Sequence, residues 1–118
     1  MSNWIKWLRL QEICQEVILK KTGEILELAI HASTTALPQH LRSAVERKGK
    51  DISIFINLEW NKNLDQVIDS LGHEVAHITE GTEDCQTTKF RKAWRENRAE
   101  ITKLYSSDRP SPIDRDKA

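Results

Sequence analysis

The sequence predicts a small α+β domain: an N-terminal helix, a small mixed β-sheet and two further helices. Three observations carry this reading. Apolar residues recur at helical spacing in three stretches, they alternate at strand spacing in two others, and 118 residues leave room for one layered core. With 38% of residues hydrophobic and 31% charged, the chain has the composition of a folded soluble domain. Residues 1–105 are expected to form that domain and 106–118 a disordered tail, because the segment from Ser106 holds two prolines and no apolar stripe.

The first helix is read from Trp4 to Lys21, where Trp4, Trp7, Leu8, Leu10, Cys14, Val17 and Ile18 fall mostly three or four apart and Gly23 supplies the stop. From Glu24 to His31 the period changes to two. Leu26, Leu28 and Ile30 point one way while Glu27, Ala29 and His31 point the other, as in a half-buried strand. Residues 39–50 suit either a short helix, through Leu41, Ala44 and Val45, or one arm of a hairpin ending at Lys48-Gly49-Lys50. The hairpin fits slightly better. Its other arm is Ile52 to Leu58, a β-branched alternating run.

Leu64, Val67, Ile68, Leu71, Val75 and Ile78 make one apolar stripe, and Asn63 followed by Gln66 resembles a capping box, so a helix is expected from Leu64 to Glu80 with Gly81 ending it. A last helix runs from about Thr87 to Tyr105 with Phe90, Trp94, Ile101, Leu104 and Tyr105 on its buried side. Trp4, Trp7, Trp60 and Trp94 are expected to anchor the core, and Cys14 to lie in it.

Composition excludes some classes of function. Eighteen basic residues balance eighteen acidic ones, so the chain lacks the overall charge of a generic nucleic-acid or anionic-membrane binder. No stretch approaches the ~18 apolar residues of a membrane span, and the N-terminus lacks the pattern of a secretory signal. A cytoplasmic protein without a membrane partner is expected. The two cysteines are far apart in sequence and form no C-x-x-C pair, which fits reduced thiols.

The chemistry concentrates in His73-Glu74-Val75-Ala76-His77, an H-E-x-x-H motif. Residues four apart on a helix lie about 40° apart around it and one turn apart along it, so two imidazoles can converge on one ion. The pair falls opposite the apolar stripe, with Gln66, Asp69 and Ser70, and therefore faces a cleft or solvent. Glu74 lies on the flank of that cleft, positioned to accept a proton from a water without itself being a ligand.

With this motif on the helix that follows a strand, the chain resembles the zincin metallopeptidases, and most closely the small SprT-like and related minimal zincins. The resemblance implies a zincin-like fold, one Zn²⁺ ion as cofactor, a peptide or protein substrate, and peptide hydrolysis with Glu74 as general base and His73 and His77 as ligands. It also pairs the active-site helix with a sheet whose edge strand binds substrate. Here Ile52 to Leu58 looks like that strand, which would put a shallow groove for extended peptides beside it.

A catalytic zinc takes a third protein ligand. Asp84, in Gly81-Thr82-Glu83-Asp84, has nearly the interval at which metzincins supply theirs, with Glu83 and Cys85 as neighbouring choices. In gluzincins the ligand is a glutamate from the next helix. Glu96 and Glu100, in Glu96-Asn97-Arg98-Ala99-Glu100, resemble that pattern, although the helical wheel turns Glu96 well away from the buried stripe. Tyr105, His31, His40 or an arginine could stabilise an oxyanion, and nothing in the sequence selects among them. Arg91, Arg95 and Arg98 form a stripe on the exposed side of the last helix. Such a stripe is usually a solvated face, and SprT-like relatives that act on DNA-associated proteins add nucleic-acid contact as an alternative role for it. The alternative to a peptidase is a non-catalytic zinc-binding or nucleic-acid-associated accessory domain with the same fold. Zero net charge is thus an average over a carboxylate-rich turn at Glu80, Glu83 and Asp84 and an arginine stripe just beyond it.

Overall fold

The computed structural model describes residues 5–107. Among them three helices and three strands follow one another as α1 (Trp7–Thr22), β1 (Glu27–Ser33), β2 (Ser43–Lys48), β3 (Asp51–Asn57), α2 (Leu64–Glu80) and α3 (Thr88–Ser106). This is the α+β arrangement read from the sequence. The hairpin reading of residues 39–50 holds, and Gly49, at a φ of 61°, makes its turn. Ser106, where the tail was expected to begin, is the last residue of α3. Residues 108–118, and Trp4 at the other end, lie outside the described residues.

The sheet order is β1-β3-β2, with β1 parallel to β3 and β2 antiparallel to it. Ile52, Ile54 and Ile56 of β3 are buried against the helices, while Phe55 points to the opposite face and stacks on His31. Leu10, Ile13, Cys14, Val17 and Ile18 from α1 join Val67, Leu71 and Val75 from α2 in one core, closed by Ile101 and Leu104 from α3. Helix α3 packs on α1 and α2 and makes no substantial contact with the sheet.

Topology moves the expected substrate strand. β3 is central, hydrogen-bonded on both sides, and cannot accept a further strand. β1 is an edge, but α1 covers it: Gln15 Oε1 accepts the Leu28 N–H and Gln11 Oε1 accepts the Ile30 N–H, each at 2.9 Å. A blocked edge cannot template another chain. Among the described residues β2 is therefore the open edge, and it lies beside α2.

Helix α2 begins as the capping pattern implies, with one difference. The Asn63 side chain accepts the Gln66 N–H at 2.9 Å, but Gln66 Oε1 returns to the N–H of Lys62, one residue before the cap. Trp60 is a surface residue, not a core anchor: it is 46% exposed and its Nε1–H donates to Gln39 O.

Candidate metal centre

His73 and His77 emerge half-buried from the face of α2 opposite its apolar stripe. Their Nε2 atoms are 3.3 Å apart. Two Zn–N bonds of 2.0–2.1 Å at a tetrahedral angle would separate the nitrogens by about 3.3 Å, so the pair has the spacing of two ligands on one ion. His77 Nδ1 lies 2.7 Å from Thr82 O, which can only accept. In the neutral ring the proton therefore sits on Nδ1, and the Nε2 lone pair is left on the side facing His73, available to an ion held between the two rings. Burial, then the neighbouring His77, holds the His73 pKa below the usual imidazole value, which favours the neutral ring.

The backbone after α2 brings a third group to these two. Gly81 caps the helix in the left-handed conformation, at φ 62° and ψ 32°, and turns the chain back along the histidine face. This reversal delivers Thr82 O to His77 and places Cys85 so that its Sγ and the two histidine nitrogens lie within 4.8 Å of one another. Two imidazoles and a potential thiolate form a donor set able to hold a metal ion.

The other candidate ligands are not gathered with these three donors. Asp84 is exposed, and its Oδ1 accepts the Gln86 N–H at 3.0 Å in a local turn. Glu83 lines the cavity on the β2 side of the histidines. Glu96 and Glu100 point towards α1, where they pair with Lys21 and Lys20 at 3.4 and 3.5 Å. Tyr105 accepts the Lys6 N–H near the end of α3, and His31 and His40 are exposed and line neither of the two cavities beside the histidine pair.

Phe90 and Trp94 of α3 form an aromatic wall behind the imidazoles. Ring centroids are 4.5 Å apart for His73 and Trp94 and 4.7 Å for His77 and Phe90. Trp94 is fixed in turn by an Nε1–H bond to Asp69 O at 2.9 Å. Such packing holds the rings in orientation before any ion arrives.

Glu74 is 4% exposed, and its Oε2 accepts the Ser43 Oγ–H at 2.6 Å. Burial raises its pKa above the ordinary glutamate value, and the Ser43 hydrogen bond and then His77 partly oppose that rise. The residue before Ser43 is held by a network from the sheet. Asn61 Nδ2 donates to Arg42 O and Asn57 O, and Asn61 Oδ1 accepts the Ser70 Oγ–H, which ties the start of β2 and the end of β3 to α2. A cavity of about 660 Å³ opens between the β2 edge and α2, lined by Ser43, Val45, Arg47, His73, Glu74 and His77 among others.

Sequence reasoning ranked Cys85 below Asp84 and did not single out Ser43, Asn61 or the site role of Trp94. Ser43 and Asn61 gave no signal, since a serine at a strand start and an asparagine in a turn are common. Trp94 was legible as buried, but not as packed on His73. The metzincin-like interval favoured Asp84, whereas the actual course of the turn presents the next residue.

Comparison with known proteins adds no relative: no protein family, curated protein or solved structure matches this chain. Among the described residues no helix is long and apolar enough to cross a membrane.

Proposed function

We propose that this chain is a zinc-dependent metallopeptidase of zincin-like architecture, with His73, His77 and Cys85 as the ligands of one Zn²⁺ and Glu74 as general base. The observation that carries the reading is the joint placement of the ligand pair and Glu74: two Nε2 atoms 3.3 Å apart, one with its tautomer set by Thr82 O, beside a buried carboxylate at the same cavity. A catalytic zinc keeps one position open, and three protein ligands leave it. When bound, the ion supplies Lewis acidity, which activates water and polarises a carbonyl.

The chain's own residues do the rest. Glu74 takes a proton on its carboxylate and returns it to the leaving amine, and its raised pKa brings it closer to the neutral range where that exchange is efficient. Ser43 occupies Oε2, so Oε1 is the oxygen available for the proton. The open β2 edge offers backbone groups to an extended peptide in the cavity beside α2. A cytoplasmic setting suits a thiolate ligand, which oxidation would remove.

The test is metal content by mass spectrometry together with cleavage of an unfolded protein substrate. Wild type should hold one zinc per chain and cleave. Glu74→Gln should keep the zinc and lose cleavage, Cys85→Ala should lose zinc, and Asp84→Ala should keep both. A wild-type chain that takes up no stoichiometric zinc overturns the reading. Zinc without cleavage would instead mark a non-catalytic zinc-binding domain.

A further inference from the structure

On the far side of His73 from the β2 edge, a second cavity of about 610 Å³ is bounded by the same histidine and by Cys85. Its outer wall is α3, and it gathers Arg91, Arg95 and Arg98, which at i, i+4 and i+7 share one helix face. Three guanidiniums meet one lining carboxylate, that of Asp69. This carboxylate is already engaged, with Arg98 at 3.1 Å and Arg42 at 3.9 Å. Arg91 has only the neutral Gln86 side chain as a partner, at 3.3 Å, and Arg95 has no partner among the described residues. The charge of the two forks is therefore uncompensated by any carboxylate among the described residues. Across the histidine pair the balance reverses, since Glu74 and Glu83 face Arg47 in the cavity beside β2.

We propose that the arginine-lined cavity is a substrate subsite for a carboxylate, so that the protein selects peptides carrying an acidic group next to the bond held at His73 and Cys85. The selection of a bond to cleave rests on the peptidase reading; the carboxylate site does not. Arginine forks bind carboxylates through paired N–H donors, and a concave wall concentrates that field on a single anionic group. A single anionic group fits this enclosed arginine cluster, whereas a continuous phosphate backbone needs an extended basic track, which the exposed Glu83 and Asp84 just before Cys85 interrupt. The carboxylate can come from an acidic side chain or from a peptide C-terminus, and the probes separate the two.

The experiment uses the zinc-loaded full chain carrying Glu74→Gln, so that binding is read without turnover. Fluorescein-labelled short peptides are compared by polarisation: one with a central glutamate and an amidated end, its glutamine counterpart, and a neutral peptide with a free C-terminal carboxylate. A single-stranded oligothymidylate is the fourth probe. At least one carboxylate peptide should bind about tenfold or more tightly than its uncharged counterpart, and which one does so names the source. Arg95→Gln should abolish that difference while leaving thermal unfolding unchanged, because Arg95 is exposed and unpaired. Equal binding of all three peptides, or none, overturns the proposal. So does tight, salt-dependent binding of the oligonucleotide without a peptide preference, which would assign the face to nucleic acid. Acidic peptides that bind but are never cleaved by wild type would retain the subsite and remove the peptidase reading. Cleavage without any acidic preference would do the opposite.

Discussion

Gly72 sits in the middle of α2, one residue before His73, and its replacement by alanine sets two opposed effects against each other. A Cβ built there would lie 3.0 Å from the backbone N of Arg98 and 3.2 Å from its Cα. These are main-chain atoms of α3, so no side chain can swing aside and the helices must separate by a few tenths of an ångström. On helix propensity alone, glycine to alanine would stabilise by about 1 kcal/mol. Overpacking a close contact costs about 1–3 kcal/mol. The steric cost should win, giving a net loss of about 1 kcal/mol, or a Tm lower by roughly 4–8 °C for a domain near this size. Circular dichroism melts of the metal-free protein measure it. Because α3 also carries Phe90 and Trp94, the same variant should loosen the aromatic wall against His73 and weaken zinc binding. A Tm that rises, as propensity alone requires, would refute the idea that the α2–α3 distance is set by contact at Gly72.

Other outcomes follow from the same geometry. Asn97 is fully buried with both amide atoms unpartnered, so Asn97→Leu should stabilise by about 1 kcal/mol in urea unfolding; a loss of stability would mean the amide is satisfied after all. Burial pushes the Cys14 thiol up to about 12, so a thiol reagent should modify Cys85 alone in the native protein and Cys14 only after denaturation. Added zinc should protect Cys85, and two reactive native thiols would contradict the packing of α1. Ser43→Ala removes a hydrogen bond that lowers the Glu74 pKa, so the Glu74 carboxyl should titrate at higher pH when followed by carbon NMR in the metal-free protein. The sign carries into stability. With its folded pKa raised, Glu74 favours folding below its unfolded value near 4.5, and that contribution fades as pH climbs through the folded pKa. Ser43→Ala should extend the fading to higher pH, and a downward shift of either midpoint would contradict this account.

Much of the architecture was legible because local pattern and tertiary burial agree. The apolar stripe of α2, its Asn63 cap and Gly81 stop, and the alternation of Ile52, Ile54 and Ile56 each specify one element with one buried face. The histidine pair was legible for the same reason, since helix geometry alone fixes residues four apart. What spacing does not encode is lateral order. Whether Ile52–Leu58 is central or at an edge depends on which strand pairs with which, and the glutamines that block β1 come from α1. Which candidate donor lies near the two histidines depends on the course of one turn, where a single residue decides between the exposed Asp84 and the half-buried Cys85. The stripe of α3 was read through its apolar members, so the polar Asn97 inside it gave no sign of being buried.

The left-handed cap at Gly81 confines the three candidate ligands to the segment 73–85, within one helical hairpin. Closing so short a loop costs little chain entropy, so the ion-holding part of the site needs only α2, its turn and the start of α3. The proton-handling part is assembled differently: Ser43 reaches Glu74 across 31 residues and only once the sheet has formed. Metal capture and acid–base competence are thus separable in folding order. On the metallopeptidase reading proposed above, a nascent or partly unfolded chain would sequester zinc while still harmless to its neighbours, and hydrolytic capacity would arise last, with the docking of β2.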